Sequence, residues 1–129
     1  MRMNYDCIRE VLISLEDLIV LDGNLELNLV TLEELCAALP DYEKQDIAYS
    51  LMMLDEAEYI KANIMDADDC IINIFVSGIT FEGHKYLDTI RSLPVWEETK
   101  KTFKEKAIEM TIETIILVAK SIIQSRLIP

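Results

Sequence analysis

The apolar positions at the start of the chain fall on one helical stripe. Ile8, Val11, Leu12, Leu15, Leu18 and Ile19 step by 3, 1, 3, 3 and 1, the spacing of an amphipathic helix from about Asn4 to Leu21. Asp22-Gly23-Asn24 predicts its end, with Gly23 suited to a left-handed cap. Leu25, Leu27 and Leu29 then alternate with Glu26 and Asn28, which predicts a short strand. Thr31-Leu32-Glu33-Glu34 has the form of a capping box, so a second helix starts there and ends by Pro40. Asp41 is placed to cap a third helix in which Ile47, Leu51 and Leu54 face a core, running into Ala57.

Tyr59 to Met65 and Cys70 to Val76 are β-rich and alternate, with Ile60, Ala62 and Ile64 on one strand and Ile72, Ile74 and Val76 on the other. Asp66-Ala67-Asp68-Asp69 is a polar turn between them. Thr80 is the expected cap of the next helix, its hydroxyl accepting the N–H of Glu82 or Gly83. Gly83 then falls in the first turn, where a missing side chain lets the helix pass close to a strand. Tyr86, Leu87 and Ile90 form the inner face. Three helices, a hairpin and a fourth helix make the order of a winged-helix domain. The expected class is therefore α+β, mostly α, with that domain over 1–93 and a helical extension over 94–129.

Ser92-Leu93-Pro94 marks a break and a new helix start, since Pro is tolerated in a first turn. From Val95 to about Leu127 the pattern is helical, either continuous or interrupted near Ala107. Ile108, Ile112, Ile115, Ala119 and Ile122 follow 4, 3, 4, 3 spacing. Ile116 and Ile123 widen that stripe, and Leu117 and Val118 extend apolar surface round the helix. A helix apolar over most of its circumference needs cover on several sides. A second copy is the economical cover, so Ile108, Ile112, Ile115, Ile116, Ala119, Ile122 and Ile123 are the expected oligomer interface.

Charge narrows the range of partners. The 129 residues carry a formal charge of −12, and residues 41–70, the third helix and hairpin, hold nine Asp/Glu against two Lys. A winged helix that reads DNA needs cations there, and a duplex carrying one negative charge per ~1.7 Å would be repelled. Nucleic acid and anionic membrane are disfavoured partners. The longest late apolar run, Ile115 to Ala119, is far short of the ~20 residues of a membrane span. No secretory signal is apparent, because Asp6, Arg9, Glu10, Glu16 and Asp17 break the first apolar stretch. Cys7, Cys36 and Cys70 form no CxxC pair and have no His at metal spacing. Each reads as a small apolar residue in a reducing cytoplasm.

Little in the chain carries chemistry. His84, the single histidine, has Glu82 and Asp88 nearby in sequence, but a general base also needs an orienting partner and a nucleophile within reach. Asp66, Asp68 and Asp69 lack the 12-residue frame, central Gly and terminal Glu of a calcium loop. No phosphate-cradling loop is present. No catalytic residue, metal or cofactor is expected, and the chain is not expected to be an enzyme. Trp96, beside the Pro94 start, is either a seal at the edge of the core or, with His84, a candidate partner contact. Lys100, Lys101, Lys104 and Lys106 lie at helical spacing from Glu97, Glu98 and Glu105 and read as surface pairs.

Two stretches carry a resemblance to a known family. The opening Met3-Asn4-Tyr5-Asp6-Cys7-Ile8-Arg9-Glu10-Val11-Leu12 resembles the start of the bacterial and prophage proteins grouped as domain of unknown function 2513. Ile79-Thr80-Phe81-Glu82-Gly83-His84-Lys85-Tyr86-Leu87-Asp88-Thr89-Ile90-Arg91, followed by Val95-Trp96 and Lys100, is similar to that family's Leu-Thr-Trp-Glu-Gly-His segment and downstream Trp. Phe81 replaces the Trp, Ser50 stands where a His is expected after Tyr49, and Glu58 where a Gly is expected before the strand. The resemblance implies a winged-helix-like fold and a low-GC Gram-positive or phage origin, and no established activity.

The expected function is therefore that of a non-catalytic, cytoplasmic winged-helix protein in a phage or mobile-element setting. It would act through protein–protein interaction as a homo-oligomer joined by its last helix, with an unidentified protein partner. The alternative is a dimeric DNA-binding transcriptional regulator.

Overall fold

The computed structural model describes residues 1–128. Its elements follow the order α1 (Tyr5–Leu18), β1 (Val30–Thr31), α2 (Leu32–Ala38), α3 (Lys44–Glu56), β2 (Ile60–Ala67), β3 (Cys70–Ile79), α4 (Phe81–Ile90), α5 (Leu93–Lys106) and α6 (Ile112–Leu127). The class is α+β, mostly α. The chain forms two compact units, Met1–His84 and a second from Lys85 onward.

In the first unit, α1, α2 and α3 pack on one another and on one face of a three-stranded antiparallel sheet of order β1-β3-β2. Its core draws on the stripes that periodicity picks out, except that Ile72, expected beside Ile74 and Val76, is 61% exposed because the pairing register shifts there. Cys7, Ile8, Val11, Leu12 and Leu15 come from α1, Leu32 and Leu35 from α2, Ile47, Leu51 and Leu54 from α3, and Val30, Ile60, Ile74 and Val76 from the sheet; all are buried. Asn4 caps α1 by accepting the Cys7 N–H at 3.1 Å. Thr31 and Glu34 make the expected capping box of α2.

Several expectations are corrected. α1 stops at Leu18, because the Asn28 side chain takes over there: its Nδ2 donates to the Leu18 carbonyl at 2.8 Å and its Oδ1 accepts the Val20 N–H at 2.7 Å. Gly23 does not adopt a positive φ; Leu25 does, at 64°. The strand expected over Leu25–Leu29 is a loop, and the strand lies at Val30–Thr31, where Val30 pairs with Val76 and Thr31 with Phe75. Alternation there imitates a strand, but Asp22 diverts the backbone donors. Its Oδ1 accepts the N–H groups of Asn24 at 2.8 Å and Glu26 at 3.0 Å. α3 is capped at Glu43 without a side-chain bond, not at Asp41. The hairpin strands run further than expected, the first to Ala67 and the second, from Cys70 as expected, on to Ile79, around a two-residue turn in which Asp68 (φ 51°) and Asp69 (φ 63°) are both left-handed, as in a type I′ turn.

In the second unit the long final helix is two helices. α5, capped by Ser92 with Pro94 in its first turn, and α6 pack on each other. Arg126 binds Glu98 at 2.8 Å between them. The break is a Schellman stop: Ala107 is left-handed (φ 51°), its N–H donates to the Lys104 carbonyl at 3.3 Å, and the Ile108 N–H reaches the Phe103 carbonyl at 3.2 Å. Thr111 and Thr114 then cap α6 reciprocally.

Candidate interaction surfaces

The most distinctive stretch of sequence, Thr80 to His84, is a corner lock. Thr80 sits where β3 gives way to α4, beside the turn that joins α3 to β2. Its backbone N–H donates to the Tyr59 carbonyl at 2.9 Å and its hydroxyl to the Glu58 carbonyl at 2.6 Å. The same hydroxyl accepts the Gly83 N–H at 3.1 Å, the cap anticipated from the sequence. A Cβ on Gly83 would collide with the Tyr59 carbonyl oxygen and stand 2.8 Å from Ile79 Cγ2. Only Gly allows that approach. The Thr and Gly of the motif thus hold two chain crossings together.

Glu58 belongs to the same corner. The Tyr59 N–H donates to the Leu54 carbonyl at 2.9 Å and the Glu58 N–H to the Asp55 carbonyl at 3.0 Å, so α3 also ends in a Schellman motif. Glu58 fills its left-handed position at φ 63°, a conformation Gly adopts freely and other residues at a cost. This explains why Gly is expected at 58 and places strain in the present chain.

His84 is exposed on the first turn of α4. Trp96 is not at the surface: it is 1% exposed, with Lys100 Nζ 5.9 Å from its ring centroid. It therefore seals the core and offers a partner nothing to grip. Of the expected interface, Ile115, Ala119 and Ile122 are buried within the chain, because α6 folds back on α5. Ile108 lies in the loop rather than on the helix and is exposed, while Ile112, Ile116 and Ile123 are half-buried. Spaced 4, 7 and 4, Ile112, Ile116, Ile123 and Leu127 form a second stripe beside the buried one. Leu127 is 75% exposed and Leu117, on the far side, 69%. The lysines of α5 pair as their spacing suggests, Lys100 with Glu97 at 3.9 Å and Lys101 with Glu105 at 3.8 Å.

On the first unit, the flank of α3 opposite its core stripe bears Gln45, Tyr49, Met52 and Glu56 and no cation. The outer face of the sheet carries a groove of about 850 Å³ whose lining includes Leu29, Phe75, Asp55, Glu58 and Lys61. Asp55 Oδ1 accepts the Ala62 N–H there at 3.1 Å. The 20–29 loop, missed as a surface by sequence reasoning, turns Val20, Leu21, Leu25, Leu27 and Leu29 outward, each at least 55% exposed. The signal available beforehand was Asp22 and Asn28, both residues that bind nearby backbone.

Cys7 is buried, and burial pushes its thiol above the ordinary value, which makes it a poor nucleophile. Burial shifts Cys36 in the same direction. Among the described residues no group of His, Cys, Asp or Glu is placed to hold a metal ion, and no helix is long and apolar enough to cross a membrane.

The family model described as "Hypothetical protein (DUF2513)" matches residues 2–109, from before α1 to the loop after α5. The chain belongs to the DUF2513 family. This DUF2513 protein is also similar to an uncharacterized protein of Haemophilus influenzae (strain ATCC 51907 / DSM 11121 / KW20 / Rd), 29% identical over 131 residues, covering 98% of this chain and 99% of the relative. No solved structure matches it.

Proposed function

We propose that this DUF2513 protein is a non-catalytic winged-helix protein of the reducing cytoplasm that works through protein–protein contact and self-associates through its last helix. The element order helix–strand–helix–helix–strand–strand supports the winged-helix reading. The observation that carries self-association is the second stripe of α6. After Ile115, Ala119 and Ile122 are buried, Ile112, Ile116, Ile123 and Leu127 still form a partly open apolar flank. From Lys85 onward the chain holds eight Lys/Arg and six Asp/Glu, so a second copy meets little like-charge repulsion there.

Light scattering on the intact chain at tens of micromolar tests this. A mass above that of one chain is expected, falling to the monomer in an Ile123→Ser/Leu127→Glu variant. A monomeric intact protein overturns it. The competing reading, a dimeric DNA-binding regulator, draws on the same element order, but α3 offers a single cation, Lys44, against Asp46, Asp55 and Glu56, and the hairpin turn is acidic. Tight, salt-sensitive binding to random duplex would restore that reading. The genes flanking this one test the phage or mobile-element setting.

A further inference from the structure

An exposed leucine is ordinary when it stands alone; several in one short segment are not. Residues 20–29 hold five large apolar side chains, all between 55% and 79% exposed. A slack loop would turn such side chains inward. This one is pinned from within, by the two N–H groups that Asp22 accepts and by the two bonds that Asn28 makes to Leu18 and Val20. Its backbone also closes on itself, the Asp22 N–H donating to the Glu26 carbonyl at 3.0 Å. A hollow of about 230 Å³ lies within the loop, between Val20 and Leu27, and Leu29 continues the surface into the groove over Phe75.

Charge selects what covers it. Residues 1–84 carry eighteen Asp/Glu and four Lys/Arg, a net −14. Asp22 and Glu26 stand on the loop itself, and Asp55 and Glu58 outnumber Lys61 in the groove. A second copy would bring the same −14 to the contact, and a duplex or an anionic membrane would be repelled. A cationic surface would be drawn in, since complementary potentials steer association and like-charge contact opposes it.

We propose that the 20–29 loop, continued by the groove, docks a cationic segment of a partner protein that inserts apolar anchors among Leu25, Leu27 and Leu29. The inference rests on the interaction-protein reading but not on self-association through α6. It predicts affinity that needs both the partner's cations and this chain's leucines.

Three fluorescent synthetic helical peptides test it on the intact protein by anisotropy: one of Leu and Lys, one with Glu for Lys, one with Ser for Leu. The Leu/Lys peptide should bind, and more weakly at high salt. Binding should drop at least tenfold in a Leu25→Ser/Leu27→Ser/Leu29→Ser variant, whose net charge is unchanged and whose unaltered thermal melt would show it folded. Equal binding by the variant, equal binding of the Glu or Ser peptide, or no binding of the Leu/Lys peptide would each overturn the proposal. Light scattering separates the two readings. Loss of self-association in the triple-Ser variant would make the loop a contact between copies and sink the cationic partner; loss only in the α6 variant leaves it standing.

Discussion

The two compact units solve the same problem, apolar surface left over after folding, under opposite electrostatic conditions. Residues 1–84 hold eighteen acidic side chains against four basic ones, and the rest of the chain six against eight. In the first unit the surplus apolar surface is lifted out on a pinned loop amid carboxylates; in the second it runs along a helix flank that is nearly neutral. Apolar exposure alone would assign both to the same kind of partner. Charge separates them, because like potentials oppose a homotypic contact on the first unit and leave one open on the second. The units also share a device. Each ends a helix in a Schellman motif with a residue other than Gly in the left-handed position, Glu58 in one and Ala107 in the other.

The largest expected effect lies in the corner lock of the first unit. Gly83→Ala drives a methyl into the Tyr59 carbonyl, and since backbone must move to relieve it, the loss should be about 3 kcal/mol or more, read as a fall in denaturant midpoint. A loss below 1 kcal/mol would mean that the crossing of α4 over the α3–β2 turn is loose. Thr80→Ala comes next. It removes one hydroxyl that both caps α4 and donates to the Glu58 carbonyl, so about 1–2 kcal/mol should go. His84→Ala, one turn along on an exposed site, should stay within about 0.5 kcal/mol. Equal effects at 80 and 84 would break the assignment of the motif to structure.

The smallest effects compare the two helix stops directly. Glu58→Gly and Ala107→Gly should each raise stability, by about 0.5–1 kcal/mol, because relief of left-handed strain is partly offset by the freer unfolded chain. Paired melts check this. A gain at 107 with a loss at 58 would show that the Glu58 side chain contributes something beyond its backbone position.

Much of the architecture was legible because its signals are local. The stripe Ile8–Leu15, the capping box at Thr31, the core face of α3 and the Thr80 cap depend on residues within a few positions of one another, and each holds. What failed is also instructive. Leu25, Leu27 and Leu29 read as a strand by alternation, yet a strand needs a neighbouring strand to pair with, and here Asp22 turns the backbone back on itself, accepting the Glu26 N–H on its side chain and the Leu25 N–H on its carbonyl. The isoleucine stripe of the last helix reads as apolar on several sides, but periodicity does not tell which side the chain itself covers. The interruption near Ala107, one of the two patterns the sequence allows, is the one found, but nothing local shows that α6 returns onto α5 and buries Ile115, Ala119 and Ile122. Trp96 shows the same limit: its place at a helix junction suits a core seal as well as a partner anchor, and packing, which leaves it 1% exposed, decides for the seal.

The sheet edge bears on how the protein behaves when concentrated. A hairpin such as β2–β3 offers a row of unpaired backbone groups to any passing strand, a template for runaway pairing. Here the template is spoiled several times over. Asp55 occupies the Ala62 N–H, irregular register interrupts the pairing at Lys61/Ala62 and Met65/Asp66, and Lys61 and Asp66 put charge on the strand. The opposite edge, β1, is two residues long. The apolar surface this chain leaves in the open is therefore one of side chains, where shape and charge discriminate, and its backbone edges offer little to the indiscriminate strand exchange that ends in fibres.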